Sequence, residues 1–226
     1  MQRVLPCFEV GELTIGFVAR DSLLAMTRLA ASFLDPNAPN DPSVEAAFRA
    51  VPDTMVAEIL DGEIHTLPRP ARPHTNAASV LGGELHGPFR RGIGGPGGWI
   101  ILDEPEIHLG PKPDKLVPDL AGWRRERMPS ALGQSDDPPH YDRAPDWVCE
   151  ILSPNTEATD RGKKMRIYRR EGIGHAWLIN PVTRTLEVYR LEAGRWILLD
   201  TFEGNAVTRA EPFDAIELAL AVLWEG

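Results

Sequence analysis

Ala144-Pro145-Asp146-Trp147-Val148-Cys149-Glu150-Ile151-Leu152-Ser153-Pro154 decides how the rest of the chain is read. Its middle is an apolar, β-favouring run stopped by Ser153-Pro154, which reads as a central strand. Alternation puts Asp146, Val148, Glu150 and Leu152 on one face and Trp147, Cys149 and Ile151 on the other. A carboxylate inside such a strand is costly unless it is paired or bound to metal. Glu150 therefore either sits at a sheet end beside an arginine or ligates a hard divalent cation such as Mg²⁺ or Mn²⁺. Asp146 is roughly 13 Å away along the strand, whereas an adjacent strand runs about 4.8 Å away, so a second ligand must come from a neighbour. Asp119, in Pro118-Asp119 within a strand expected over residues 116–121, is the best placed, the proline suiting an edge or a strand start.

Downstream, a charged helix is expected over residues 159–171, closed by Gly172. Asp160, Lys164 and Tyr168 follow at i, i+4 and i+8 and so lie near one face. Lys164 either reaches the strand end, to hold an attacking water or neutralise charge, or belongs to a solvated face paired with Asp160; periodicity alone favours the solvated face. Residues 176–180, 185–191 and 195–199 read as a strand and a hairpin, and 215–223 as a last helical turn.

Upstream, Asp61-Gly62 between the alternating runs of residues 56–67 is a strong hairpin signal. Residues 74–89 have apolar positions at helical spacing, weakened by Gly82-Gly83, and 99–102 and 106–109 read as short strands. A polar loop is expected over about 124–143. The breaker-rich stretch 35–42 ends an amino-terminal extension and linker, residues 1–42, with Ser43 as the cap of a short helix that opens a domain over 43–226. The order is mixed and points to an α+β fold around a central sheet.

Composition fits this reading. The chain has 226 residues, 33 acidic against 24 basic, and 20 Gly with 21 Pro, above the usual combined share of roughly 12%. That excess argues for long connections and short strands rather than a helical bundle. A net charge of −9 disfavours nonspecific nucleic-acid binding through the whole surface and requires a local basic patch. No apolar run approaches a membrane span, the amino terminus lacks a signal-peptide pattern, and Cys7 and Cys149 read as reduced thiols, so a cytoplasmic protein is expected.

Four stretches carry a resemblance. They are Ala57-Glu58-Ile59-Leu60-Asp61-Gly62-Glu63; Val117-Pro118-Asp119-Leu120; residues 144–156 with Asp160, Lys164 and Tyr168; and Gly172-Ile173-Gly174-His175-Ala176-Trp177-Leu178-Ile179-Asn180-Pro181 with Leu186-Glu187-Val188-Tyr189. In this order they resemble the bacterial Uma-type family of putative restriction endonucleases over residues 44–224. The resemblance implies a restriction-endonuclease-like fold of the PD-(D/E)xK superfamily, a mixed sheet flanked by helices that hydrolyses DNA phosphodiesters with a divalent metal. It makes Asp119 the motif aspartate, Glu150 the second carboxylate and Lys164 the family's helix lysine, with Asp119 and Glu150 holding Mg²⁺ or Mn²⁺. The usual lysine position, two residues after the second carboxylate, holds Leu152. Glu58 and Glu63 match acidic positions, either of which would add a ligand. A homodimer is the family-level expectation. Residues 1–42 have no counterpart in this pattern, and a shorter product starting at Met26 is a further expectation.

Basic residues cluster beside the proposed site on the 159–171 helix and after Asp119, and Arg124, Arg125, Lys163, Arg166 and Arg170 are the candidate phosphate contacts. Gly92-Ile93-Gly94-Gly95-Pro96-Gly97 has the form of a dinucleotide fingerprint but precedes a strand, and reads as a loop. The histidines show no His-Glu-x-x-His spacing and no cysteine partner, which argues against zinc. The expected function is a metal-dependent endodeoxyribonuclease. The alternative is an inactive protein of the same fold that binds nucleic acid or a protein partner, which Leu152 supports.

Overall fold

The computed structural model describes residues 40–52, 54–67, 70–128 and 139–225. The chain around Glu150 forms the strand its pattern predicts: Trp147–Ile151 has every residue buried. Alternation along it divides the molecule in two. Trp147, Cys149 and Ile151 face one hydrophobic cluster, and Val148 and Leu152 face another.

In chain order, helix α1 (Pro42–Arg49) precedes a hairpin of β1 (Val56–Leu60) and β2 (Glu63–Leu67). Asp61 and Gly62 both have positive φ, 53° and 81°, as a two-residue hairpin turn requires. Helix α2 (Arg72–Leu85) runs on into a π-helical turn, His86–Arg90. The strands β3 (Trp99–Asp103), β4 (Ile107–Leu109), β5 (Asp114–Leu116), β6 (Leu120–Arg124) and β7 (Trp147–Ile151) follow. Residues 157–170 form one helix, α3, whose middle, Asp160–Lys164, is π-helical. Last come β8 (His175–Asn180), β9 (Thr185–Glu192), β10 (Arg195–Glu203), β11 (Val207–Thr208), β12 (Leu218–Ala219) and α4 (Ala221–Trp224).

A six-stranded mixed sheet has the order β10-β9-β8-β7-β6-β3, with β7 and β8 parallel and every other pair antiparallel. A four-stranded antiparallel sheet, β2-β1-β5-β4, lies beside it. Helices α2 and α4 pack together over one face of the larger sheet, where Trp99, Trp147 and Trp177 surround Phe213 with ring centroids 4.8–5.6 Å away. Helix α3 and the smaller sheet cover the opposite face, which carries Glu150. The α+β class with flanking helices is therefore as expected.

Four local expectations are corrected. Asp41, not Ser43, caps α1: its Oδ1 accepts from the Ser43 N–H at 2.8 Å, and Pro42 occupies the first turn, where a missing N–H costs nothing. Residues 116–121 are not one strand. Pro118 lacks an N–H, and the Val117 N–H goes to Glu58 Oε1 at 2.8 Å, so β5 ends in one sheet and β6 begins in the other. Residues 215–223 contain strand β12 before a single helical turn, because Leu218 and Ala219 pair with β11. The face of α3 carrying Asp160, Lys164 and Tyr168 is buried, not solvated. Gly172 does close α3, with φ of 73°, the Ile173 N–H reaching Tyr168 O and the Gly172 N–H reaching Arg169 O. Cys7, Met26, most of the 1–42 extension and residues 129–138 of the expected loop lie outside the described residues.

Candidate active site

The break at Val117-Pro118-Asp119 joins the two sheets and gathers the site. β6 and β7 are antiparallel with Leu120 opposite Cys149, so Asp119, one step earlier, falls opposite Glu150. The Ile151 N–H donates to Asp119 Oδ2 at 2.6 Å and fixes the carboxylate there. His74, on α2, places Nε2 3.1 Å from the other oxygen, Oδ1. Burial works against charge on His74, but the hydrogen bond to Asp119 together with the negative charges of Asp119, Asp160 and Glu104 outweighs it and holds the imidazole pKa above its ordinary value.

Glu150 is 3% exposed, and its two oxygens have separate donors: Lys164 Nζ at 2.9 Å and the Tyr168 hydroxyl. Lys164 is 2% exposed and lies 3.1 Å from Glu58 Oε1 and 3.7 Å from Asp160 Oδ1. Burial disfavours its charge, yet Glu150 and Glu58 overcome the penalty and raise its pKa well above normal, so Lys164 is an ammonium. Burial pushes Glu150 and Asp160 up, with Lys164 opposing in both. The i, i+4, i+8 spacing brings Asp160, Lys164 and Tyr168 inward together, although the turn from 160 to 164 is π-helical and wider than an α turn.

The charge count is the informative quantity. Glu58, Glu150 and Asp160 are buried around one ammonium, with Asp119 beside them. Glu58 is fully buried, and its Oε2 has no hydrogen-bond partner among the described residues. A dry, unpartnered carboxylate oxygen costs free energy unless something positive meets it. Carboxylate oxygens suit a hard divalent cation, although one oxygen from each of Glu58, Asp119 and Glu150 does not come within 4.8 Å of the other two in this arrangement. A cleft of about 180 Å³, lined by His74, Glu104, Val117, Asp119, Ser153 and Thr156 among others, opens onto Asp119; Glu150 and Lys164 do not line it.

The structure thus brings Asp119, Glu150, Lys164 and Glu58 together. Glu63 is elsewhere, 61% exposed and paired with Lys163. Of the candidate phosphate contacts, Arg166 and Arg170 pair with Asp61 at 3.0 Å, and Arg170 also meets Asp114 and Glu171. Arg124 lies over the Trp99 ring at 4.1 Å, and Arg125 donates to Arg90 O at 2.9 Å. Sequence reasoning missed His74, whose only signal was its place early in a helix after a Pro-rich turn. It also missed a group formed by Glu106, His108 and His140. Spacing within one segment does not reveal it, because the group is assembled between two segments distant in sequence.

The mixed sheet thus sets Asp119, just before β6, opposite Glu150 on β7, with Lys164 against the glutamate. The family model of Uma2, described as "Putative restriction endonuclease", matches residues 46–222, and the chain belongs to that family. A solved structure described as a putative nuclease belonging to DUF820 from Anabaena variabilis ATCC 29413 is similar in fold, with a TM-score of 0.64. It shares 21% identity over 80% of this chain and 96% of its own. No protein of curated function matches. No helix among the described residues is long and apolar enough to cross a membrane.

Proposed function

We propose that the protein is a cytoplasmic bacterial endonuclease that hydrolyses DNA phosphodiesters at this variant PD-(D/E)xK site, with Asp119 and Glu150 as ligands of Mg²⁺ or Mn²⁺. The observation that carries the reading is the surplus of buried carboxylate around Lys164, with Glu58 Oε2 left without a partner among the described residues. A bound divalent cation would supply Lewis-acid polarisation of a phosphate oxygen and lower the pKa of a water. Glu58 adds a third carboxylate. Lys164 and Tyr168 orient Glu150, and the Ile151 N–H and His74 orient Asp119. The Lys164 ammonium, delivered from α3 rather than from the position of Leu152, offsets negative charge that grows on the phosphate during attack.

Arg124, Arg125, Lys163, Arg166 and Arg170 are the proposed phosphate contacts. Arg166 and Arg170 are 59% and 47% exposed, so DNA would compete with Asp61 for them and binding would be salt-sensitive. Double-strand cleavage would use a homodimer, which light scattering after gel filtration checks.

The test is cleavage of supercoiled plasmid with Mg²⁺ or Mn²⁺ or with chelator, comparing wild type with Asp119→Asn and Glu150→Gln. Cleavage lost in the chelated sample and in both variants, with circular dichroism unchanged, is the expected result. Equal cleavage by either variant or under chelation would overturn the assignment. The inactive binding reading has one observation in its favour, that both Glu150 oxygens are already occupied. Failure of Mn²⁺ to bind by calorimetry in a Glu150-dependent way, together with no cleavage, would select it.

A further inference from the structure

Away from the cleft, residues 139–143 run alongside β4. Ile107 and Tyr141 form a parallel bridge, with the His108 N–H donating to Tyr141 O and the Tyr141 N–H to Glu106 O, both at 2.9 Å. Ile107 is buried, and Tyr141 packs against the same hydrophobic cluster. Alternation on both segments therefore turns Glu106, His108, His140 and Asp142 to the opposite side. Two residues from each strand form a four-residue patch of metal-ligand types that no single segment contains.

The geometry of the patch is close to a site. His108 Nε2 is 2.7 Å from Glu106 Oε1, and His140 Nε2 is 3.3 Å from Asp142 Oδ1. The two imidazoles stack with centroids 3.7 Å apart and planes 11° from parallel. One ligand atom from each of Glu106, His108 and His140 lies within 4.8 Å of the others. Ligands of a tetrahedral zinc are roughly 3.3 Å apart, given zinc–nitrogen bonds of about 2.0–2.1 Å. Binding requires side-chain rotation that also swings the stacked rings apart, since an imidazole holds a metal in its own plane. His140 and Glu106, 25% and 36% exposed, have room to turn while the backbone bridge beneath them is fixed.

We propose that Glu106, His108 and His140, with Asp142 completing the shell, bind one Zn²⁺ that fastens the segment leading into β7 onto β4. Two imidazoles select a borderline transition cation, whereas the all-carboxylate set around Lys164 suits a hard one. The two sites therefore differ in metal as well as in place. The clip joins the smaller sheet, through β4, to the chain that enters the central strand of the larger one. It stands whether or not the cleft cleaves DNA.

The test uses the full chain, stripped with chelator, loaded with Zn²⁺ and passed over gel filtration before metal analysis. Affinity is read by competition with a chromophoric zinc chelator. Wild type is expected to retain one zinc per chain, as is Glu150→Gln. The double variant His108→Ala/His140→Ala is expected to bind at least about 100-fold more weakly, more than the loss of an outer-shell partner produces. Zinc should raise the melting temperature of wild type and leave that of the double variant unmoved. His140→Asn, at a position 25% exposed, gives the same readout if the double variant does not fold. Co²⁺ in place of Zn²⁺ should give the visible absorption of a tetrahedral site in wild type alone. The proposal is overturned if wild type retains no zinc, if the histidine variants retain it equally, or if only Glu150→Gln loses it.

Discussion

Replacing Lys164 by methionine removes the one ammonium from a buried set of carboxylates while keeping an unbranched side chain of similar length. In wild type that ammonium lies 2.9 Å from Glu150 and 3.1 Å from Glu58, with lysine and both acids at most 3% exposed. At an effective dielectric constant near 20, each contact is worth about 5–6 kcal/mol of attraction before desolvation is subtracted. Removal of one partner from a buried ion pair costs about 3–5 kcal/mol, since the remaining charge is left uncompensated. Urea unfolding at neutral pH should show a loss of that size. By contrast Lys163→Ala, which opens an exposed pair with Glu63, should change stability by less than about 1 kcal/mol.

The sign of the pH dependence follows. Burial raises the Glu150 and Asp160 pKa values above those of the unfolded chain, and in the variant the opposing charge of Lys164 is gone, leaving only hydrogen bonds such as that between Thr156 and Asp160 against it. Such groups bind protons more tightly when folded, so the variant should regain stability as pH falls through their folded pKa values. Mn²⁺ should also stabilise the variant more than wild type, because it replaces the missing positive charge. A loss below 1 kcal/mol, or a deficit that grows on acidification, would refute the claim that Lys164 compensates buried carboxylates.

Three other outcomes are expected. Asp119→Asn and Glu150→Gln should each remove plasmid cleavage while far-ultraviolet circular dichroism stays unchanged. Gly122→Ala should cost about 1–3 kcal/mol in urea, because its Cβ would stand 3.1 Å from Trp147 and 3.3 Å from Trp99, rings held against Phe213; a loss under 0.5 kcal/mol, roughly the surface-substitution range, would mean the rings give way. Glu187 accepts from both Arg161 Nη atoms at 2.6 and 2.9 Å, which holds its carboxyl below the usual range. That contribution is present above the unfolded pKa and lost as pH falls through the folded one, so Glu187→Gln should flatten the acid limb of the stability curve by about 1 kcal/mol at most.

The parts legible in the sequence are those with strict local rules. The period of two around Glu150 separates two cores, and Asp61-Gly62 determines a turn with two positive φ values. Asp119 could be paired with Glu150 because strand spacing excludes Asp146. What was hidden depends on contacts between segments. The expected strand over 116–121 breaks because the Val117 N–H leaves the ladder for Glu58, 59 residues earlier. Periodicity places Asp160, Lys164 and Tyr168 on one face but does not say what lies over it, and the smaller sheet covers it. Glu58 looked like one acidic residue of a hairpin, since nothing local marks it as fully buried. Glu106 and His140 meet only through a bridge across the intervening strands.

The crossing at Val117-Pro118-Asp119 has a consequence for the order in which the chain acquires its chemistry. Glu58 belongs to the smaller sheet, Glu150 to the larger, and Lys164 to a helix that packs between them. On the proposed assignment, a partly folded chain that has formed either sheet alone holds half of the charged cluster and lacks the complete metal site of Glu58, Asp119 and Glu150. Mn²⁺ affinity at that site would therefore report completed assembly of the two sheets.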